Sequence, residues 1–74
     1  MNNSTNNYLS PRVIKLQEVL DLVSISRATH FAKLDEKSRS YDPTYPKPIK
    51  VGARAVRYVE QEIFDWLATR MEAR

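Results

Sequence analysis

Apolar residues recur with helical spacing in two parts of the chain. The first part has four aliphatic residues on one helix face, at the i, i+3, i+4 and i+7 positions: Leu16, Val19, Leu20 and Val23. Polar side chains separate them, so the spacing predicts an amphipathic helix over about residues 15–22. The second part contains Val59, Ile63, Trp66, Leu67 and Met71. It predicts a helix over about residues 60–72, with Ile63, Trp66, Leu67 and Met71 in the core.

Another helix follows the first after a short turn. Val23-Ser24-Ile25 interrupts the first pattern, and Ser26 is a suitable N-cap for a helix that begins at Arg27. One face of this second helix is apolar and is predicted to be buried: Ala28, Phe31 and Leu34. The opposite face is polar and mostly basic: Thr29, His30, Lys33 and Lys37. Two helices joined by so short a turn have the arrangement of a helix-turn-helix.

The middle of the chain contains a loop and a predicted β-hairpin. Three prolines and two tyrosines lie between Ser38 and Pro48 without a helical or alternating period, which is typical of a loop. Two short runs rich in β-branched residues follow, Ile49–Val51 and Ala55–Val59, with Gly52 between them. They predict a small hairpin, which is a wing when it follows a helix-turn-helix.

Length and composition allow one small domain. The chain has 74 residues, of which 42% are hydrophobic and 28% charged, and domains seldom have fewer than about 50 residues. Its first ten residues are rich in Asn and Ser, so we expect residues 1–10 to form a disordered tail. We expect residues 11–74 to form a winged helix-turn-helix, a mainly α-helical fold of three helices and a two-stranded wing.

Several protein classes are excluded by the residue types present. The chain has no cysteine and a single histidine, His30, which excludes a disulfide framework and a zinc finger. Its apolar runs are far shorter than the ~18 residues of a membrane-spanning helix, and its start has no secretory signal pattern. Asp35 and Glu36 point in different directions, and no catalytic triad or phosphate-binding loop accompanies them. We expect a cytoplasmic protein without membrane contact, enzymatic activity or cofactor.

Charge is unevenly distributed along the chain, whose net charge is +3. Residues 27–57 contain eight Lys or Arg and three Asp or Glu, a net charge of +5, whereas residues 58–74 carry a net charge of −2. The positive part coincides with the second helix and the hairpin. This distribution favours a polyanionic partner, and double-stranded DNA is the leading candidate.

Basic and polar side chains of the second helix and the hairpin are candidates for DNA contacts. Arg27 lies in the first helical turn, where an arginine can bind guanine O6 and N7. Thr29 either contacts DNA or supports the helix cap, and His30 either contacts a phosphate or packs in the core. Tyr41 and Tyr45 either stack on a base or pack over the core. The remaining candidates are basic side chains for the phosphates or the minor groove: Lys33, Lys37, Lys50, Arg54 and Arg57.

Four segments carry a distinctive set of motifs: Ile14–Val19, Ser26–Thr29, Tyr45–Tyr58 and Glu60–Leu67. The last two contain Pro-Lys-Pro followed by Gly-x-Arg, and Glu-Ile-x-x-Trp-Leu. The set resembles the AlpA family of small phage and prophage regulators, which is related to excisionases and to MerR-type winged-helix domains. The resemblance covers residues 12–70.

The resemblance implies a winged helix-turn-helix that binds DNA at or near a prophage or genomic-island promoter or attachment site. It implies control of an excisionase or integrase gene, with catalysis left to the integrase. Three residues belong by resemblance to the DNA-contacting end of the second helix: Ser26, Arg27 and Thr29. Three others belong to the wing: Lys50, Arg54 and Arg57.

This chain departs from the family pattern at three places. Ser24 stands where the turn usually has glycine, which makes a left-handed backbone less favourable. Phe31-Ala32 replaces the usual Tyr-Arg, and the segment Asp35–Tyr45 is longer than the usual link. The resemblance therefore does not extend to the identity of the DNA target.

Two alternatives to a transcriptional regulator stay open. The first is an excisionase-type protein that bends attachment-site DNA, because bending uses the same surface. The second is a protein-interaction adaptor without DNA binding, whose partner contacts the acidic last helix and the Tyr- and Pro-rich loop. Further partners to consider are a second copy in a dimer or tandem array, an integrase, and RNA polymerase at the nucleoid.

Overall fold

Three helices and three short strands make up the fold. The computed structural model describes residues 12–74, and the predicted disordered tail, residues 1–10, lies outside that range. In chain order the elements are β1 (Val13–Ile14), α1 (Leu16–Val23), α2 (Arg27–Leu34), β2 (Ile49–Lys50), β3 (Val56–Val59) and α3 (Glu60–Glu72). The prediction of a mainly helical winged helix-turn-helix is confirmed.

The hairpin belongs to a three-stranded antiparallel sheet with the order β1-β3-β2. The register pairs Val13 with Val59, Ile14 with Tyr58, Ile49 with Arg57, and Lys50 with Val56. Strand β1 is absent from the two-stranded prediction because two residues are too few to show an alternating pattern. Its pairing makes β3 the central strand, with α3 following it directly.

Contacts of Arg12 fix the start of α1 beside the start of α3. The Arg12 carbonyl accepts a hydrogen bond from the Glu60 amide at 2.9 Å. Its guanidinium nitrogens lie 3.7 Å from a Glu18 carboxylate oxygen and 3.3 Å from one of Glu60. Glu18 also accepts the Lys15 amide at 3.0 Å, which satisfies a free N–H group at the start of α1. These contacts tie the first residues of the domain to both helices.

The core lies between α1, β3 and α3. Its apolar centre consists of four buried residues: Ile14, Val19, Tyr58 and Ile63. Leu16, Val23 and Leu67 pack against this centre, and Trp66 is also buried, as predicted. The predicted burial of Met71 is wrong because it lies in the last turn of α3, where its neighbours in sequence are exposed as well, and it is 56% exposed.

A left-handed residue joins α1 to α2. Ser24 has φ 63° and ψ 46°, and it is the sole non-glycine residue with positive φ between residues 12 and 74. Its amide donates to the Leu20 carbonyl at 2.7 Å. Ser26 then caps α2, because its side-chain oxygen accepts the Thr29 amide at 3.1 Å. The predicted turn and cap are confirmed, and the turn is built on a serine in a conformation that favours glycine.

Helix α2 faces the core with a different side from the predicted one. His30, predicted on the outer face, is fully buried, whereas Phe31, predicted to be buried, is 48% exposed. Ala28 is exposed too, and Leu34 is half-buried. A hydrophobicity pattern counts histidine as polar and phenylalanine as apolar, so it predicts the wrong buried face. His30 can be buried because both of its ring nitrogens form hydrogen bonds.

Two tyrosine hydroxyls hold the buried imidazole of His30. Nδ1 lies 2.7 Å from the Tyr45 hydroxyl and Nε2 lies 2.8 Å from the Tyr58 hydroxyl. Burial lowers the pKa of His30, and the positive charge of Arg27 lowers it further. Burial and then the neighbouring Tyr58 raise the pKa of Tyr45 to about 12. The neutral imidazole therefore connects α2 to the long loop and to strand β3.

Asp42 anchors the loop between α2 and β2 on α3. Its carboxylate accepts the Trp66 indole N–H at 3.1 Å and the Thr44 amide at 2.9 Å. The Thr44 hydroxyl is the main cause that lowers the pKa of Asp42. Tyr45 is buried and meets the Trp66 ring edge-on, with ring centroids 5.0 Å apart. Of the two open roles for Tyr45, packing in the core is therefore the correct one.

Replacing the left-handed serine by glycine should stabilise the domain. A left-handed L-residue costs roughly 1–2 kcal/mol, and the greater freedom of glycine in the unfolded chain offsets part of that gain. We expect Ser24→Gly to raise the free energy of unfolding by about 0.5–1 kcal/mol, measured by urea denaturation. Ser40→Gly, in the loop and without positive φ, is the matched control and should give no gain. Equal effects of the two changes would contradict this explanation.

Stability should decrease in mild acid because of His30. Its pKa is lower in the folded than in the unfolded protein, so the stabilisation is complete above about pH 6.5 and is lost as the pH falls towards the folded pKa. Between pH 7.5 and 5.5 the loss is up to about 1.4 kcal/mol. The chain has no other histidine. Urea denaturation of His30→Gln should show a smaller pH dependence, and an unchanged one would assign the effect to other groups.

Candidate nucleic-acid interface

The N-terminal turn of α2 presents three polar side chains at the surface. Ser26, Arg27 and Thr29 are all exposed. The Ser26 and Thr29 hydroxyls lie 3.0 Å apart and bond to each other, in addition to the capping bond. Ser26 donates in this bond, so both hydroxyls support the cap, and the Arg27 guanidinium and the Thr29 O–H are the side-chain donors that this turn keeps available.

The hairpin presents further basic side chains. Lys50 ends β2, and Arg54 lies in the connection that the Val51 amide closes by donating to the Ala55 carbonyl at 2.9 Å. Both basic residues are exposed. Arg57 is half-buried, and its guanidinium donates to the Val56 carbonyl at 2.7 Å. The tip and β2 thus carry the more available charges, whereas Arg57 is partly engaged with its own strand.

No basic side chain of α2 or the hairpin forms a salt bridge within residues 12–74, although Lys33 lies near enough to the Asp42 carboxylate to act on it electrostatically. Both salt bridges found within residues 12–74 belong to Arg12, which precedes β1 and contacts the starts of α1 and α3. Helix α3, in contrast, carries Glu60, Glu62, Asp65 and Glu72. The predicted separation of charge along the chain is therefore also a separation between elements. A polyanion would be attracted to α2 and the hairpin and repelled by α3.

Three predicted candidates have surroundings that change their interpretation. His30 is fully buried between two tyrosines, so its predicted phosphate contact is wrong and packing is its role. The Lys33 ammonium lies 5.9 Å from the Tyr45 ring centroid and 5.4 Å from that of Trp66, beside aromatic faces that attract cations. Lys37 is exposed but lies beyond α2, which ends at Leu34. The predicted pairing of Lys33 and Lys37 on one helix face is therefore wrong.

The groups that position α2 give no periodic signal in the sequence. Tyr58 falls within a predicted strand and Asp42 within a predicted loop. A signal was present in the chain's one histidine, which lies within a helix, together with tyrosines in the loop and in β3. Polar groups that pair with one another in a small core give no hydrophobic period, so the pattern alone does not reveal them.

Two other features, a metal site and a membrane-spanning helix, are not found in the described part of the chain. Between residues 12 and 74 no three His, Cys, Asp or Glu side chains come together in a way that could hold a metal ion. In the same range no helix is long and apolar enough to cross a membrane.

Comparison with known proteins adds to this geometry. The profile of the family described as prophage CP4-57 regulatory protein (AlpA) matches residues 12–71. The chain is 37% identical over 65 residues to the DNA-binding transcriptional activator AlpA of Escherichia coli (strain K12), covering 88% of this chain and 93% of that protein. No solved structure matches the chain. The family match spans the helix-turn-helix, the hairpin and nearly all of α3, and this chain belongs to the AlpA family of prophage regulatory proteins.

Proposed function

We propose that this chain is a DNA-binding transcriptional regulator of prophage or genomic-island genes, acting at the nucleoid in the cytoplasm. The observation that carries the proposal is the set of exposed cations on α2 and the hairpin, Arg27, Lys50 and Arg54, none of which forms a salt bridge within residues 12–74. The similarity to a DNA-binding transcriptional activator over most of both chains supports it. The regulated gene that fits this family best is one for an excisionase or an integrase.

In this proposal α2 enters the major groove with its N-terminal turn leading. Arg27 binds the edge of a base, because its guanidinium can pair with guanine O6 and N7. Ser26 and Thr29 hold the helix start and lie next to the backbone, where hydroxyls commonly bind phosphate oxygens. The anchoring of His30 inside the core supports this role, since a helix that reads bases must keep a fixed orientation.

The hairpin lies along the neighbouring backbone or in the minor groove. Lys50 and Arg54 neutralise phosphates there, with a smaller contribution from Arg57, whose guanidinium is partly held by its own strand. Lys37 lies at the start of the long loop and is available for a further phosphate contact. Lys33 acts mainly by packing over the aromatic rings beside α3.

Fluorescence anisotropy with labelled duplexes tests the proposal. The full chain is titrated into random DNA, its own promoter region and the prophage attachment site, each at two salt concentrations. A regulator should bind the promoter fragment best and lose affinity steeply with salt, with a slope of about −0.9 per neutralised phosphate. Preference for attachment-site DNA, with bending, would instead indicate an excisionase-type protein. Absence of salt-sensitive binding to any duplex would overturn the proposal and leave the protein-interaction adaptor.

Arg27 should determine base preference at one position of the bound site. We expect Arg27→Ala to cost about 1–3 kcal/mol on the preferred duplex, and much less on random DNA, because a bidentate contact to one base is lost. Arg27→Lys is the matched control, because it keeps the charge but not the fork of donors. It should keep the salt dependence while losing most of the preference. Equal losses on preferred and random DNA would assign Arg27 to the phosphates.

Arg54 should contribute to affinity without contributing to sequence preference. We expect Arg54→Ala to weaken binding to all duplexes by similar factors and to reduce the salt slope by about one unit, because one phosphate contact disappears. Arg74→Ala removes an exposed arginine that follows the acidic helix α3, and it should leave the slope unchanged. If both substitutions change the slope alike, the effect comes from net charge and not from a contact of the hairpin.

A further inference from the structure

Phe31 is a large apolar side chain displayed on the surface of α2. It is 48% exposed, although the adjacent His30 is fully buried. The two rings meet edge-on, with centroids 4.9 Å apart and planes at 83°. Because His30 is itself fixed by two hydrogen bonds, this contact restrains the phenyl ring. The helix therefore presents a positioned apolar group and not a freely moving one.

Phe31 and Arg27 lie on the same flank of α2. Residues four apart are neighbours on a helix surface, with about 6 Å between them along the axis. Measured round the helix from the buried His30, Arg27 lies at about 60° and Phe31 at about 100°. Phe31 thus points farther outward than Arg27. A docking that brings the Arg27 guanidinium to a base edge also brings the Phe31 ring towards the floor of the groove.

The surface that Phe31 and Ala28 form offers no hydrogen bond to a base. Ala28 is exposed next to it and ends in a methyl group. In the major groove the apolar feature of a base edge is the 5-methyl group of thymine, and alanine and phenylalanine are side chains that contact it. Guanine, cytosine and adenine present donors and acceptors there, and an apolar ring would leave these unpaired.

We propose that Phe31 is a specificity-determining residue that recognises the 5-methyl group of a thymine. Base pairs are about 3.4 Å apart along the duplex, so the thymine lies about two base pairs from the base that Arg27 contacts. Ala28 completes the apolar surface. This inference rests on the proposed DNA-binding function of α2, and it adds the chemical class of the base that the middle of the helix selects.

Removing one methyl group from the DNA tests this inference directly. The preferred duplex is first selected from random sequences with the wild-type full chain. Each thymine of the selected site is then replaced, one at a time, by deoxyuridine, which pairs identically but has no 5-methyl group. Binding is measured by anisotropy. We expect one replacement to weaken wild-type binding about fourfold, the effect of losing one buried CH₂-sized group.

Protein variants show whether Phe31 is the group that contacts this methyl. Phe31→Ala should bind the thymine and deoxyuridine duplexes equally, and more weakly than the wild type binds the thymine duplex. Phe31→Gln favours helix formation and should also lose the discrimination, so the test does not depend on the folding of one variant. Phe64→Ala is the matched control, because Phe64 is a phenylalanine of acidic helix α3 and is 41% exposed. It should keep the fourfold difference.

The outcomes separate this inference from the proposed function. Sequence-specific, salt-sensitive binding in which Phe31→Ala keeps the full deoxyuridine effect, or in which no thymine matters, would overturn the role of Phe31 and leave the DNA-binding function intact. Failure of the wild-type chain to select any sequence or to bind duplex DNA would overturn the proposed function itself. Loss of discrimination in Phe31→Ala and Phe31→Gln, with Phe64→Ala unaffected, supports the inference.

Discussion

The pairing of His30 with Tyr45 and Tyr58 is the interaction on which the rest of the structure depends. A neutral imidazole donates from one nitrogen and accepts at the other, so each tyrosine hydroxyl has a defined partner in a core that excludes water. The three residues come from α2, the long loop and β3. Without the imidazole, two hydroxyls would be left unpartnered in the core, at about 1–3 kcal/mol each. In so small a domain, this network contributes stability that a larger apolar core contributes in bigger proteins.

Aromatic packing extends this network from α2 and the long loop to the acidic helix α3. Tyr45 leads to Trp66, whose indole is held by Asp42, and the Lys33 ammonium lies near both rings. Helix α3 carries four carboxylates and one arginine, whereas Arg27 of α2 and Lys50 and Arg54 of the hairpin are exposed cations. The network thereby fixes how α2, with Arg27, is held against the acidic helix. Charge separation of this kind orients a small protein before any specific contact forms.

Elements with a strong hydrophobic period could be predicted from the sequence, and those built on polar pairs could not. The first helix lies one residue later in the structure than predicted, and the last helix has the predicted bounds. The predicted N-cap at Ser26 is correct. Strand β1 is too short for a pattern. The orientation of α2 depends on tyrosines 15 and 28 residues away from His30, a separation that no local period reflects. The exposed cations Arg27, Lys50 and Arg54 could be found because charge at the surface needs no partner.

Helix α2 has eight residues, and His30 is the one among them that is buried. Most other positions of this helix therefore tolerate substitution with little effect on folding, since exposed side chains contribute little packing energy. Such a helix can therefore change most of its exposed surface through point mutations alone. An insertion or deletion within it has the opposite effect, because each residue turns the imidazole about 100° away from its tyrosines. Divergence in this family should therefore proceed by substitution on a helix of constant length.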